Sequence, residues 1–157
     1  MASRHSRIRL LALALAVLSC TAQAKREEAA RLDLPANATP THLAEQREQI
    51  EVAIKDADSY GELRASDRKQ MRASLDGIAG QIEAAGSLAA LADSDRKTLL
   101  ARQDEVNSVL ETAYGDSRVV CKREKEIGSN FRRSVCMSVA QRRRMSEQAQ
   151  QFGAPQS

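Results

Sequence analysis

The chain has no tryptophan, three cysteines, two histidines and three prolines among its 157 residues, and aromatics make up only 3% of it. Each scarcity excludes something. The short strands of a β-sandwich favour β-branched and aromatic side chains, which this composition does not supply. Two His and three Cys leave little from which to build a metal centre or a nucleophile–base pair. There is no Gly-rich phosphate loop, no HExxH, no GxSxG and no paired CxxC. No cofactor or metal is therefore expected. What is present, 29% charged and 42% apolar residues, suits one modest globular or helical domain.

Residues 1–24 follow the order of an export signal. Arg4, Arg7 and Arg9 form a positive beginning, Leu10 to Leu18 is an apolar run of nine, and Ala22-Gln23-Ala24 is a small-x-small cleavage site. Nine apolar residues are too few to span a bilayer, which takes ~20. The alternative processing site is Cys20, which ends the lipobox-like Val17-Leu18-Ser19-Cys20 and would carry acyl chains. Cleavage after Ala24 matches its pattern more closely. Under either cut Cys121 and Cys136 remain as the only pair, and an even pair in an oxidising compartment reads as a disulfide. The expected location is the periplasm or cell envelope, with an outer-membrane lipoprotein as the alternative.

Residues 25–40 mix charge, Ala and two prolines and read as a flexible leader, with room for a short helix around 27–32. From Thr41 to Gly115 the periodicity is helical. Leu43, Ile50, Ile54 and Ala57 share one face, Thr39 is placed to cap with Pro40 behind it, and Tyr60-Gly61 breaks the segment. In the second segment Ser66 is the expected cap, Met71, Leu75, Ile78, Ile82 and Ala85 form an apolar seam, and Gly86 is the stop. In the third, Ser94 is the expected cap, Leu99, Gln103, Val106, Leu110 and Ala113 form the seam, and Gly115 is the stop. Gln103 is the polar intruder, a candidate register-setting residue. Ser66-Asp67-Arg68-Lys69 and Ser94-Asp95-Arg96-Lys97 repeat at a spacing of 28, which either a duplication or a shared helix grammar explains. Ala73, Gly77, Gly80 and Ala84 form a stripe of small residues, a candidate for close approach of another backbone or simply a solvated face. The second helix is expected between the first and third.

Residues 116–138 read as a β-hairpin. A two-residue turn at Gly128-Ser129 sets Cys121 directly opposite Cys136, Glu124 opposite Arg133 and Glu126 opposite Phe131. That turn puts the cysteines at a hydrogen-bonded position, where Cα atoms stand farther apart, so a bulge is expected to intervene. Ser138 and Gln141 then form a capping box for a last helix from Val139 to about Gln151, the first part of a helix-and-tail segment over 139–157, in which Arg142, Arg143 and Arg144 spread round the circumference. The expected fold is mainly α: an antiparallel helical hairpin or three-helix unit, a disulfide-linked β-hairpin and a short last helix.

Val120-Cys121-Lys122-Arg123, Gly128-Ser129, Val135-Cys136-Met137-Ser138 and the polar helix after them resemble the C-terminal module of small, uncharacterised exported proteins of Gram-negative bacteria. The resemblance extends over about two-thirds of the chain. It departs from that pattern early in the last helix, where many relatives carry Trp and this chain has Gln141 or Arg142. What it implies is an envelope location, and no assigned activity.

Charge divides the chain. Residues 25–117 hold 12 basic and 18 acidic side chains, whereas residues 118–157 hold 9 basic and 3 acidic. Arg118, Lys122, Arg123, Lys125, Arg132, Arg133, Arg142, Arg143 and Arg144 form a candidate site for an anionic envelope component or an acidic protein. Alternatively, they dock on the protein's own acidic helices. Nucleic acid is disfavoured, because the aromatic platforms on which single strands stack are nearly absent. A membrane anchor is expected only if Cys20 is acylated. His42 and the acid pairs Asp56/Asp58 and Asp93/Asp95 lie at helix starts and read as structural. The expected function is a non-catalytic interaction module. Alternatives are a self-associating helical scaffold and, more weakly, a carboxylate hydrolase of envelope material.

Overall fold

The computed structural model describes residues 28–125, 127–128 and 130–153. The signal segment with Cys20, the first leader residues, Glu126 and Ser129 lie outside the described residues, so the Gly128-Ser129 turn and the Glu126/Phe131 pair are not described. The elements in order are α1 (Pro40–Ala53), α2 (Ala57–Tyr60), α3 (Ala65–Ala85), a 3-10 turn (Leu88–Ala90), α4 (Asp93–Ser117), β1 (Val119–Lys125), β2 (Arg132–Ser138) and α5 (Val139–Gly153). The chain is mainly helical, with a two-stranded antiparallel hairpin near its C-terminal end.

The seams read from the sequence become the core. Met71, Leu75, Ile78 and Ile82 of α3 are buried, and so are Leu99, Val106, Leu110 and Ala113 of α4 and Leu43 and Ile50 of α1. α3 packs against both α1 and α4. Arg47–Asp76 (2.6 Å) and the Arg72–Glu51 pair tie α1 to α3 at the rim. The seams thus close on one another within one chain and are not exposed for pairing between chains.

Helix boundaries differ from the expectation where side chains compete for backbone groups. The first helix stops at Ala53, not Tyr60, because Asp56 caps a separate short helix: its carboxylate accepts from the Asp58 N–H (3.1 Å) and the Ser59 hydroxyl (2.6 Å). Ala57 is accordingly exposed. Thr39 caps α1 as expected, accepting from the His42 N–H at 3.3 Å. Ser66 and Ser94 do not cap. The N-caps are Arg64 and Ala92, and each serine lies inside its helix, the Ser66 hydroxyl turned to Asp67. Gly86 ends α3 with φ at 81°, a backbone that glycine adopts without cost. Gly115 does not stop α4. The helix continues to Ser117, whose hydroxyl donates to the Ala113 carbonyl (2.8 Å) and accepts from the Glu62 N–H (2.9 Å). Tertiary anchoring of that last turn outweighs glycine's poor propensity.

The stripe of small residues on α3 receives no backbone. Ala73, Gly80 and Ala84 are exposed, and the Arg102 guanidinium lies over Gly77.

The largest departure is at the leader. Residues 28–35 run along the core without regular secondary structure and a turn at 36–37 follows, with Leu32, Leu34 and Ala38 buried. No helix forms within 28–32. Asn107 of α4 holds this segment as a neighbouring strand would. Its Oδ1 accepts from the Leu32 N–H (2.8 Å) and its Nδ2 donates to the Leu32 carbonyl (3.0 Å). The Ala30 N–H donates to the Tyr60 hydroxyl (2.6 Å), and Tyr60 stacks at a tilt on Tyr114, centroids 5.9 Å apart. Burial pushes the Tyr60 hydroxyl's pKa up. Asn107, not the half-buried Gln103, is thus the polar residue placed within the α4 seam.

Candidate functional site

β1 and β2 pair from Val119↔Ser138 to Lys125↔Arg132, with Cys121 opposite Cys136 and Glu124 opposite Arg133, as the sequence register requires. The disulfide is formed, and its Cα atoms are 3.9 Å apart. The expected bulge is absent from the described ladder. The reason lies in the parity of the register. The Val139 N–H donates to the Arg118 carbonyl (3.0 Å), which makes Arg118/Val139 a hydrogen-bonded pair in the same register. Alternation then gives the cysteines a non-hydrogen-bonded position, where opposing Cα atoms come close and a cross-strand disulfide needs no distortion of the ladder.

Alternation also sorts the side chains into two faces. Val120, Val135 and Met137 are half-buried on one face, together with Lys122, Glu124 and Arg133. The other face carries the exposed disulfide, Val119, Arg123, Lys125 and Arg132. On that face Lys125 stands directly opposite Arg132, cation against cation, at a position where side chains approach closely. Arg118 is exposed at the junction of α4 with β1.

The three consecutive arginines do something different. Successive helical residues point about 100° apart, and each finds its own acid. Arg142 reaches Glu124 (3.4 Å) and the Val120 carbonyl (3.4 Å) and so fastens α5 to the hairpin. Arg143 makes a two-pronged contact with Asp116 of α4 (3.0 and 2.8 Å), and Arg144 does the same with Glu62 (2.9 and 3.2 Å). The capping box forms as expected, with the Gln141 N–H on Ser138 Oγ (3.0 Å) and the Ser138 N–H on Gln141 Oε1 (3.1 Å). The Ser138 hydroxyl also donates to Glu62 (2.6 Å). Of the nine cations named from the sequence, Arg143 and Arg144 therefore dock the module onto the acidic helical body and Arg142 holds α5 to the hairpin, while Arg123, Lys125 and Arg132 line the outer face of the hairpin.

Glu62 is the hub of this docking. Hydrogen bonds from Arg144 and then Ser138 hold its carboxyl below the usual 4.5, against the opposing effect of burial. A carboxyl depressed by folding contributes stability above its unfolded pKa and loses it as pH falls through the folded value. Docking of α5 is expected at full strength above about pH 4.5 and to weaken below it. Amide exchange in α5 followed against pH checks this: Glu62→Gln should flatten the acid dependence, and an unchanged acid limb would refute the assignment.

Glu62 and Asp116 border a cleft of about 480 Å³ between the start of α3, α4 and α5, with Arg64, Asp67, Arg143 and Arg144 on its walls. Its acids meet its arginines, Asp116 bound to Arg143 and Glu62 to Arg144. His42 sits on a different part of the fold, its Nε2 3.1 Å from the Asp33 carbonyl, where it ties the leader to α1. Among the described residues no group of three or more His, Cys, Asp or Glu is placed to hold a metal ion, and no helix is long and apolar enough to cross a membrane.

The sequence reading missed Asn107 and the buried leader. The signal was present as alternation in Arg31-Leu32-Asp33-Leu34, where Leu32 and Leu34 are buried and Arg31 and Asp33 exposed. A scan against protein-family models and searches of curated proteins and of solved structures find no match to this chain.

Proposed function

We propose that the chain is an exported envelope protein that works as a non-catalytic interaction module, with the disulfide-pinned hairpin as its arm. The single observation that carries this reading is the outer row of the hairpin, where Lys125 faces Arg132 with Arg123 one step along the same face. Like charges set directly opposite weaken a strand pair. An anion between them turns that repulsion into two attractions. The neighbouring arginines of α5 support the reading by contrast, since each is engaged by an acid of the same chain. The disulfide suits an oxidising compartment, and the export-type beginning of the sequence points the same way.

Retention on an immobilised polyphosphate matrix tests the reading. Protein spanning residues 25–157, which hold every buried side chain among the described residues, should elute only at raised salt. Lys125→Ala with Arg132→Ala should elute much earlier, while the melting temperature does not fall, because both side chains are exposed and their mutual repulsion is removed. Retention that ignores both salt and this double substitution would overturn the proposal.

A further inference from the structure

The basic module is also where the protein exposes its large apolar side chains. Among the described residues seven are exposed, and Val119, Ile127, Phe131, Met145 and Phe152 belong to β1, β2, their connection or α5, which leaves only Val52 and Leu100 for the helical body. Two of the five stand at the hairpin tip: Ile127 is 102% exposed and Phe131 is 85% exposed. They lie in the connection between Lys125 and Arg132, the cation pair that closes the strands. Single exposed apolar residues are ordinary on protein surfaces. A fully exposed isoleucine and an exposed phenylalanine within two residues, in sequence, of the last cation pair of the ladder are a different arrangement. They combine the two contacts that an interfacial membrane binder needs: apolar side chains to enter the acyl boundary, and cations to meet the phosphates.

We propose that the hairpin tip docks on an anionic phospholipid surface, with Ile127 and Phe131 entering the interface and Lys125 and Arg132 lying among the head groups. The proposal rests on the hairpin being the interaction arm and names its partner. It gives the protein a route to a membrane that does not depend on acylated Cys20. A soluble polyanion would use the cations and gain nothing from the tip. A bilayer uses both, which is why the exposed pair favours lipid. The arm is held for the task, because Cys121–Cys136 fixes the register and Arg142 fastens β1 to α5. The strands that carry Lys125 and Arg132 then lose little conformational freedom on docking.

The chain has no tryptophan, so Phe131→Trp provides a single reporter. In residues 25–157 its emission should shift to the blue with phosphatidylglycerol vesicles and stay unmoved with phosphatidylcholine vesicles or soluble polyphosphate. Val52→Trp, on the exposed side of α1, should not shift with any of them. Ile127→Ser with Phe131→Ser should lose about tenfold in binding to phosphatidylglycerol vesicles and keep wild-type retention on polyphosphate. Unshifted emission from the Phe131→Trp reporter on anionic vesicles, or vesicle binding unaffected by the two serines, overturns the lipid proposal. Retention on polyphosphate without vesicle binding overturns it alone and leaves the basic arm standing. Binding to neither overturns both.

Discussion

Asn107→Ala is expected to destabilise the protein by about 3 kcal/mol and to release residues 28–38 from the core. The Leu32 N–H and carbonyl are both buried, and both take their hydrogen bond from this one amide, at 2.8 and 3.0 Å. Alanine leaves two buried backbone groups without partners, each worth roughly 1–3 kcal/mol in lost solvation. Leu32, which is fully buried, would then have its backbone stranded and its side chain weakly held. Asn107→Asp is the informative companion. A carboxylate still accepts from the Leu32 N–H, but it cannot donate to the carbonyl and it brings a charge into a buried site. Both variants should shift the denaturation midpoint. Both should also make the exposed Arg31 a site of rapid tryptic cleavage. A wild-type midpoint with Arg31 still protected would show that Asn107 is not what holds the leader in the core.

Removing the disulfide should cost about 3 kcal/mol, and the loss should fall on the hairpin alone. The bond joins residues fifteen apart in sequence and closes a two-stranded ribbon that is not part of a larger sheet. Such ribbons are marginal in water without a staple. Among the described residues of β1 and β2 only Ser138 is buried, whereas the core residues of α1, α3 and α4 have their own contacts. Cys121→Ser with Cys136→Ser should therefore abolish amide protection through β1 and β2 while protection in α3 and α4 persists. Loss of protection in all elements together would mean that the arm is integral to the core. Full retention in the strands would mean that the pairing stands without its crosslink. Because the Lys125/Arg132 row is aligned by the strands, polyphosphate retention should fall with strand protection.

How much could be read in advance depended on the range of each interaction. The α3 and α4 seams were legible because burial at a spacing of three and four is a local pattern, and Met71, Leu75, Ile78 and Ile82 all fill the places it assigns. The hairpin register was legible from the cysteine pair, which sets Cys121 opposite Cys136. Its hydrogen-bonding parity was not legible, since Arg118 and Val139 beyond the strands set it. Ser66 and Ser94 have the chemistry of N-caps, yet the helices begin before them. Cap preference is worth about 1 kcal/mol and yields to the packing of a whole helix. The candidate site was legible as a set of cations. Its division into docking residues and outward-facing residues was not.

By itself the sequence determined the helical seams, the Thr39 and Ser138 caps, the glycine stop at Gly86, the cysteine pairing and the division of charge between body and arm. These follow from periodicity, side-chain chemistry and counting, all of which act between residues near one another in the chain or paired by simple register. Only the tertiary structure decided that the leader lies in the core, and that Arg142, Arg143 and Arg144 grip Glu124, Asp116 and Glu62. Leu32 meets Asn107 across 75 residues and Arg144 meets Glu62 across 82. The free energy of such contacts depends on where the whole chain places each partner and what water each gives up.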